Sequence, residues 1–258
     1  MDSSTDAGKQ AEAAVAYPIV EKKYTLTERI DETPEVIIAR FAAEDGVAVP
    51  FDAGMFSMLS GLDSAGKRYV ARALSIASDP SNPVLEYFIV KQHMLGAEMH
   101  TSYFTQAPIG TEFMIKGPNG QFRFDPDRDT KVCFIAGGTG LAPFMSMLRH
   151  LRLTKSAVDV KLFYSVKFPT EVILPKELKE LEFFIKLNTT ITVTRPAPGD
   201  GWIGATGHLN SDMFKKFCPD IINRMCYICG PLAFVKAIKE ALAALGIPDN
   251  RISADVWG

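Results

Sequence analysis

Two domains of different class are expected from this sequence: a six-stranded antiparallel β-barrel, then an α/β unit built on a parallel sheet. Three observations carry that expectation. The chain has 258 residues, more than the roughly 100–200 of a usual single domain. Residues 22–124 break into short runs rich in β-branched and aromatic residues, separated by turn formers and without a long helical pattern. Beyond Asp125-Pro126-Asp127-Arg128-Asp129, apolar runs alternate with stretches of helical period.

Taken in order, residues 1–16 (MDSSTDAGKQAEAAVA) are small and polar with no apolar signal-type core, and are expected to form a disordered tail. Six strands are expected from YTLTER, EVIIARFA, MFSMLSGL, YVARALSI, VLEYFIVK and TEFMIKG. Turn chemistry punctuates them, at Asp31-Glu32-Thr33-Pro34, Asp63-Ser64-Ala65-Gly66, Asp79-Pro80-Ser81-Asn82-Pro83 and Gly117-Pro118-Asn119-Gly120. Such strands without a helix between them make a small barrel over residues 17–125. In residues 130–258, VCFIA, VKLFYS, TITVT, MCYIC and RISADV are the expected strands. Pro175 opens a helix whose Leu178, Leu181 and Ile185 share a face. A second helix, from Leu232, turns Phe234, Ile238, Leu242 and Leu245 inward and stops at Gly246.

Composition excludes several classes. At 47% hydrophobic and 22% charged the chain is neither disordered nor collagenous. A net charge of −2 gives no global attraction to nucleic acid or to an acidic membrane. The uncharged stretch Val132 to Leu148 approaches the length of a membrane span, but Gly137, Gly138, Gly140 and Pro143 interrupt it, as expected of strand, loop and helix start. Four unevenly placed cysteines suggest reduced thiols in a cytoplasmic protein. No second close cysteine pair and no histidine at finger spacing accompany Cys226-x-x-Cys229, so no metal site is expected.

Four local constellations can carry chemistry. Gly137-Gly138-Thr139-Gly140-Leu141-Ala142-Pro143 follows an apolar strand and opens a helix. Glycines there admit close approach of a pyrophosphate, and the helix end supplies N–H groups and a positive dipole. The loop lacks the lysine of a P-loop, and a ligand-free connection is the plainer alternative. In Arg72-Ala73-Leu74-Ser75, the guanidinium can grip a phosphate and the hydroxyl can bond a ring or ribityl oxygen, although a solvated strand face has the same composition. Cys226-Tyr227-Ile228-Cys229-Gly230-Pro231 places its first cysteine inside a strand, which argues against a thioredoxin-like dithiol. The chain ends Asp255-Val256-Trp257-Gly258, where alternation puts Asp255 and Trp257 on one face.

In this order the four motifs resemble the ferredoxin–NADP reductase superfamily, from about Lys22 to Gly258. The resemblance implies a flavin barrel and a pyridine-nucleotide domain, with FAD and NADP or NAD as cofactors. It implies that Arg72, Ala73, Leu74 and Ser75 bind flavin, that Ile89, Val90 and Lys91 end the strand lining it, and that Met99, His100 and Thr101 form a second phosphate turn. Gly137, Gly138, Thr139, Gly140 and Pro143 would hold the nucleotide pyrophosphate, and Cys229, Gly230 and Pro231 would flank the nicotinamide. Thr194 and Arg195, assisted by Lys167, would meet a 2′-phosphate. Ser75, Cys229, Asp255 and Trp257 would serve hydride transfer, Trp257 as a cover over the flavin ring. Leu74 departs from the family, which carries an aromatic there, so ring stacking is lost. No four-cysteine iron–sulfur pattern is present, so electrons would pass to a separate carrier such as a ferredoxin. A free-flavin or ferric reductase, an electron-transfer subunit of a larger complex and a non-enzymatic nucleotide-binding module are the alternatives.

Overall fold

A computed structural model describes residues 17–62, 66, 68–91 and 104–257. The expected tail, residues 1–16, lies outside them. The first six strands are β1 (Val20–Asp31), β2 (Val36–Ala43), β3 (Phe56–Leu62), β4 (Arg68–Ser75), β5 (Val84–Val90) and β6 (Glu112–Asn119). They form one antiparallel sheet in the order β4-β3-β6-β1-β2-β5. Its two edge strands, β4 and β5, meet, and Ala77 just past β4 donates its N–H to the Glu86 carbonyl of β5 at 2.8 Å, which nearly closes a barrel.

The inward residues of those strands make the barrel core, with Tyr24, Phe41, Leu59, Tyr87 and Phe113 completely or almost completely buried. Each such side chain stabilises by about 1.5–3 kcal/mol through burial. The two buried tyrosines keep their hydroxyls satisfied. Tyr24 accepts from the Val49 amide at 2.9 Å, and Tyr87 shares a hydrogen bond with Ser57 at 2.7 Å.

The second sheet comprises β7 (Lys131–Gly137), β8 (Asp159–Val166), β9 (Leu187–Val193), β10 (Ala205–Thr206), β11 (Met225–Pro231) and β12 (Ile252–Trp257). All its pairings are parallel, in the order β10-β9-β8-β7-β11-β12. Helices α1 (Ala142–Leu153), α2 (Pro175–Phe184), α3 (Ser211–Phe217) and α4 (Leu232–Ala243) make its crossovers and cover it. A parallel sheet covered on both faces explains why β7, β8 and β11 read as nearly continuous apolar runs.

The residues turned inward by α4 differ in part from the periodic expectation. Val235, Ile238 and Leu242 are its buried positions. Phe234 is only half-buried because it sits in the first turn, over the ends of β7 and β11, and Leu245 follows the helix end. The two domains also share apolar packing. Val36, Ile38, Phe88, Phe122 and Phe124 belong to the same cluster as Phe134, Phe144, Leu148 and Tyr227 of the second domain.

Candidate functional site

The strands of the parallel sheet end along one rim, and the glycine loop lies there. β7 runs out at Gly137, a single 3₁₀ turn covers Gly138–Leu141, and α1 begins at Ala142 with Pro143 in its first turn. Gly138 takes the left-handed conformation (φ +56°), and a Cβ added to it would meet nothing within 4 Å. The glycine therefore serves the turn and leaves open space before the backbone. Gly140 has the opposite reason, since its Cβ would stand 2.2 Å from the Cys229 carbonyl oxygen of β11. Gly137 and Gly230 both lie under Phe234, whose ring a Cβ would approach to 2.9 Å and 2.7 Å respectively. The glycine loop and the Cys229-Gly230-Pro231 strand end thus pack directly on one another.

A cleft of about 880 Å³ opens before this rim. From the second domain it is lined by Gly137, Gly138, Thr139, Thr194, Arg195, Pro231 and Trp257, among others. Thr194 and Arg195 are held at the ends of β9 and β8, where their amides donate to the Val166 and Lys167 carbonyls at 2.9 and 2.8 Å. Lys167 lines the same cleft. The barrel supplies Thr33, Glu35, Val36 and Val90 to the opposite wall.

Beneath the rim, Cys229 is fully buried and pairs in register with Asp255 of β12. Burial pushes the Cys229 thiol well above its usual range, and the Asp255 charge adds to that. Desolvation likewise raises the Asp255 carboxyl, against a lowering backbone hydrogen bond at Val256. The carboxyl accordingly keeps its proton to higher pH than an exposed aspartate.

Arg72, Ala73, Leu74 and Ser75 lie on β4 at the barrel seam, outside the walls of this cleft. Arg72 is half-buried and donates to the Ala71 carbonyl at 3.2 Å. Ala73 is exposed, Ser75 is half-buried, and Leu74 packs against the barrel core. Of the neighbouring strand β5, Ile89 is buried in that core and Val90 lines the cleft. The Lys91 ammonium pairs with Asp31 at 2.6 Å and donates to the Thr33 carbonyl at 2.9 Å. Met99, His100 and Thr101 lie outside the described residues. The glycine loop, Thr194–Arg195, Pro231 and Trp257 therefore meet at one cleft, with Arg72–Ser75 on the adjoining barrel strand.

Several lining residues have no counterpart in the motif reading: Thr33, Glu35, Phe168, Glu171, His208 and Phe234. Phe234 comes from the first turn of α4 and the others from a hairpin turn and the connections after the strands, where sequence pattern is weakest. The donor types suit an anionic dinucleotide. An open left-handed glycine, a helix N-terminus and the exposed Arg195 face the cleft, while the Arg72 fork and the Ser75 hydroxyl are groups that a flavin phosphate and ring would accept. Among the described residues no side-chain cluster could hold a metal, and no helix is long and apolar enough to cross a membrane.

Comparisons with known proteins match the two-domain fold. Residues 134–240 match the family model described as an oxidoreductase NAD-binding domain. The chain is similar to the glycine betaine monooxygenase reductase subunit of Pseudomonas aeruginosa, at 30% identity over 89% of this chain and 62% of that protein. It thus spans less than two thirds of that relative's length. Among solved structures, the ferredoxin reductase in carbazole 1,9a-dioxygenase superposes with a TM-score of 0.80 at 22% identity, covering 95% of this chain and 71% of that one. A ferredoxin NADP+ reductase from Neisseria gonorrhoeae, with bound FAD and NADP, superposes with a TM-score of 0.74 at 21% identity, covering 92% and 98%.

Proposed function

We propose, for a chain that belongs to the ferredoxin–NADP reductase superfamily by its two-domain fold and its NAD-binding domain, that it is an NAD(P)H-dependent flavin oxidoreductase using FAD. The observation that carries this reading is the convergence of Gly137–Thr139, Thr194–Arg195, Pro231 and Trp257 on one cleft whose far wall ends in the barrel strand β5. Bound FAD would supply acceptance of a hydride and release of single electrons. The chain supplies binding and orientation. The barrel is taken as residues 17–125 and the nucleotide domain as 130–258.

Arg72 would hold a flavin phosphate, with Met99, His100 and Thr101 as the second phosphate turn, and Ser75 would bond the ring edge. The Gly137–Gly140 backbone and the α1 N-terminus would bind the nucleotide pyrophosphate. Arg195, beside Lys167, would pair with a 2′-phosphate and favour NADPH over NADH. Gly230 and Pro231 form the platform for the nicotinamide, with the Cys229 thiol beneath it neutral. Trp257, 41% exposed at the cleft, would cover the ring position until the nicotinamide takes its place. The partner in this reading is a small carrier such as a ferredoxin serving an oxygenase, and the setting is cytoplasmic.

Leu74 favours a second reading. It packs into the barrel core and presents no aromatic face, which suits an exchangeable flavin and hence a free-flavin reductase. Anaerobic addition of NADPH or NADH to the flavin-loaded protein tests the main reading. Bleaching of the flavin bands is expected, and an unchanged spectrum with both nucleotides would reject it. Dialysis separates the two readings, because a flavin lost on dilution belongs to the second. Arg195→Ala should lower kcat/KM for NADPH relative to NADH by about tenfold or more, and an unchanged ratio would remove Arg195 from the site.

A further inference from the structure

One wall of the cleft is the segment 167–174, which contributes Lys167, Phe168, Glu171 and Ile173. Its own domain holds it through the Arg195 amide, which donates to the Lys167 carbonyl at 2.8 Å, and through the Tyr164 hydroxyl, which accepts the Ile173 amide at 3.4 Å. Within the segment, the Lys167 amide donates to the Glu171 carboxylate at 3.0 Å. The segment ends at Leu174, which caps α2 in the left-handed conformation (φ 51°, ψ 45°). A leucine adopts that backbone only at a cost. Its carbonyl accepts from Leu178 at 3.0 Å and starts the helix, while its amide turns the other way and donates to the Glu32 carboxylate at 2.7 Å.

Glu32 belongs to the barrel. It sits in the β1–β2 hairpin turn, whose Thr33 and Glu35 line the facing wall of the same cleft. That turn is rigidly tied to the end of β5: Lys91 pairs with Asp31, its ammonium donates to the Thr33 carbonyl, and its amide donates to the Glu35 carbonyl at 2.7 Å. One carboxylate thus joins the two walls.

We propose that Glu32 is a positioning residue: by accepting the Leu174 amide across the domains, it fixes the separation of the cleft walls at which a bound nicotinamide nucleotide reaches the barrel. The inference rests on the proposed nucleotide cleft. It assigns Glu32 no contact with the reacting atoms. A carboxylate accepting a backbone N–H makes one of the stronger hydrogen bonds available, and a strained residue persists only where its surroundings hold it.

Glu32→Ala and Glu32→Gln in the full-length, flavin-loaded protein test this, because the glutamine oxygen still accepts the amide whereas alanine cannot. For Glu32→Ala, the equilibrium Kd of NADP+ or NAD+, whichever wild type binds, should rise about three- to tenfold, as loss of one such bond predicts. Hydrogen exchange at the Leu174 amide should accelerate at least about tenfold. Glu32→Gln should stay within about twofold of wild type in both, on the same argument. A Glu32→Ala protein with wild-type Kd would overturn the proposal whatever its Leu174 exchange, as would a glutamine variant impaired as severely as the alanine one. Wild-type protein that binds neither nucleotide would instead overturn the reading of the cleft, and the Leu174 exchange rates would still report whether the cross-domain bond holds the segment.

Discussion

Gly140 and Gly138 lie two residues apart in one loop and are glycine for different reasons, which separates their mutational costs. Alanine at Gly140 would drive a methyl group to 2.2 Å from a backbone carbonyl, so the glycine loop and β11 must part. Gly140→Ala should cost about 2–3 kcal/mol of stability and weaken nucleotide binding. Alanine at Gly138 meets open space and carries only left-handed strain, about 1 kcal/mol. Urea unfolding of both variants checks the order, and equal losses would contradict the packing argument. Asp255 gives a pH-dependent prediction. Its carboxyl is held above the ordinary 3.8 by desolvation, so the folded state binds its proton more tightly than the unfolded chain does. Ionising it therefore costs stability, a cost absent below pH 3.8 and complete above the raised value. Asp255→Asn should be more stable than wild type at neutral pH, with the difference vanishing on acidification to about the ordinary aspartate range. A gain that persists in acid would rule out the desolvation account.

Between elements, the clearest charged link is the one from β5 to α1 and α2. Glu86, with a side chain 5% exposed, pairs with Arg149 of α1 at 2.6 Å and with Arg40 of β2 at 2.7 Å. Arg149 is also bonded to Glu177 of α2 at 2.6 Å and to the Ala77 carbonyl at 2.8 Å. Glu86→Ala removes one of the two carboxylates on Arg149, leaving Glu177, and one of the two on Arg40, leaving Glu28, and should destabilise by about 1.5–3 kcal/mol, measured by chemical unfolding. A loss well below 1 kcal/mol would mean that Arg149 is neutralised without Glu86. None of this network was legible in the sequence, because the partners bonded to the Glu86 and Arg149 side chains stand 28 to 72 residues from them. The strands were legible, since alternation and turn residues are local signals. Among the described residues, short elements escaped: the helical residues 104–106 between β5 and β6, the two-residue β10, and α3, although Asn210 caps α3 by accepting the Met213 amide at 2.9 Å. An Asn two residues before Asp212 is a signal that could have located that helix. In the site, the glycine loop was legible because its requirement is local backbone geometry. Thr33, Glu35 and Glu32 were not, because only packing of the barrel against the second domain brings a hairpin turn to the nucleotide rim.

Across the whole molecule, the shared core decides how the protein unfolds. Domains joined in one chain often meet through modest, fairly polar interfaces and move or melt separately. Here Phe122 and Phe124, just past the last barrel strand, pack edge-on against Phe144, Phe134 and Tyr227 at centroid distances of 5.7–6.0 Å. Phe134 and Phe144 stack behind them at 4.8 Å. Polar contacts reinforce the join: the Ser146 hydroxyl of α1 donates to the Ser78 carbonyl at 2.7 Å, and the Tyr227 hydroxyl donates to Asp129 in the connecting segment at 2.5 Å. Unfolding either domain alone would expose these rings on the other, at about 1.5–3 kcal/mol for each large side chain, so a half-folded state is disfavoured and one cooperative transition is expected. Both tryptophans, Trp202 and Trp257, lie in the second domain, so their fluorescence reports that domain only. Exchange of the Ile38 and Phe113 amides reports the barrel. The urea midpoints of the two signals should coincide, and a barrel that melts at a clearly different midpoint would show that the aromatic cluster does not couple the domains.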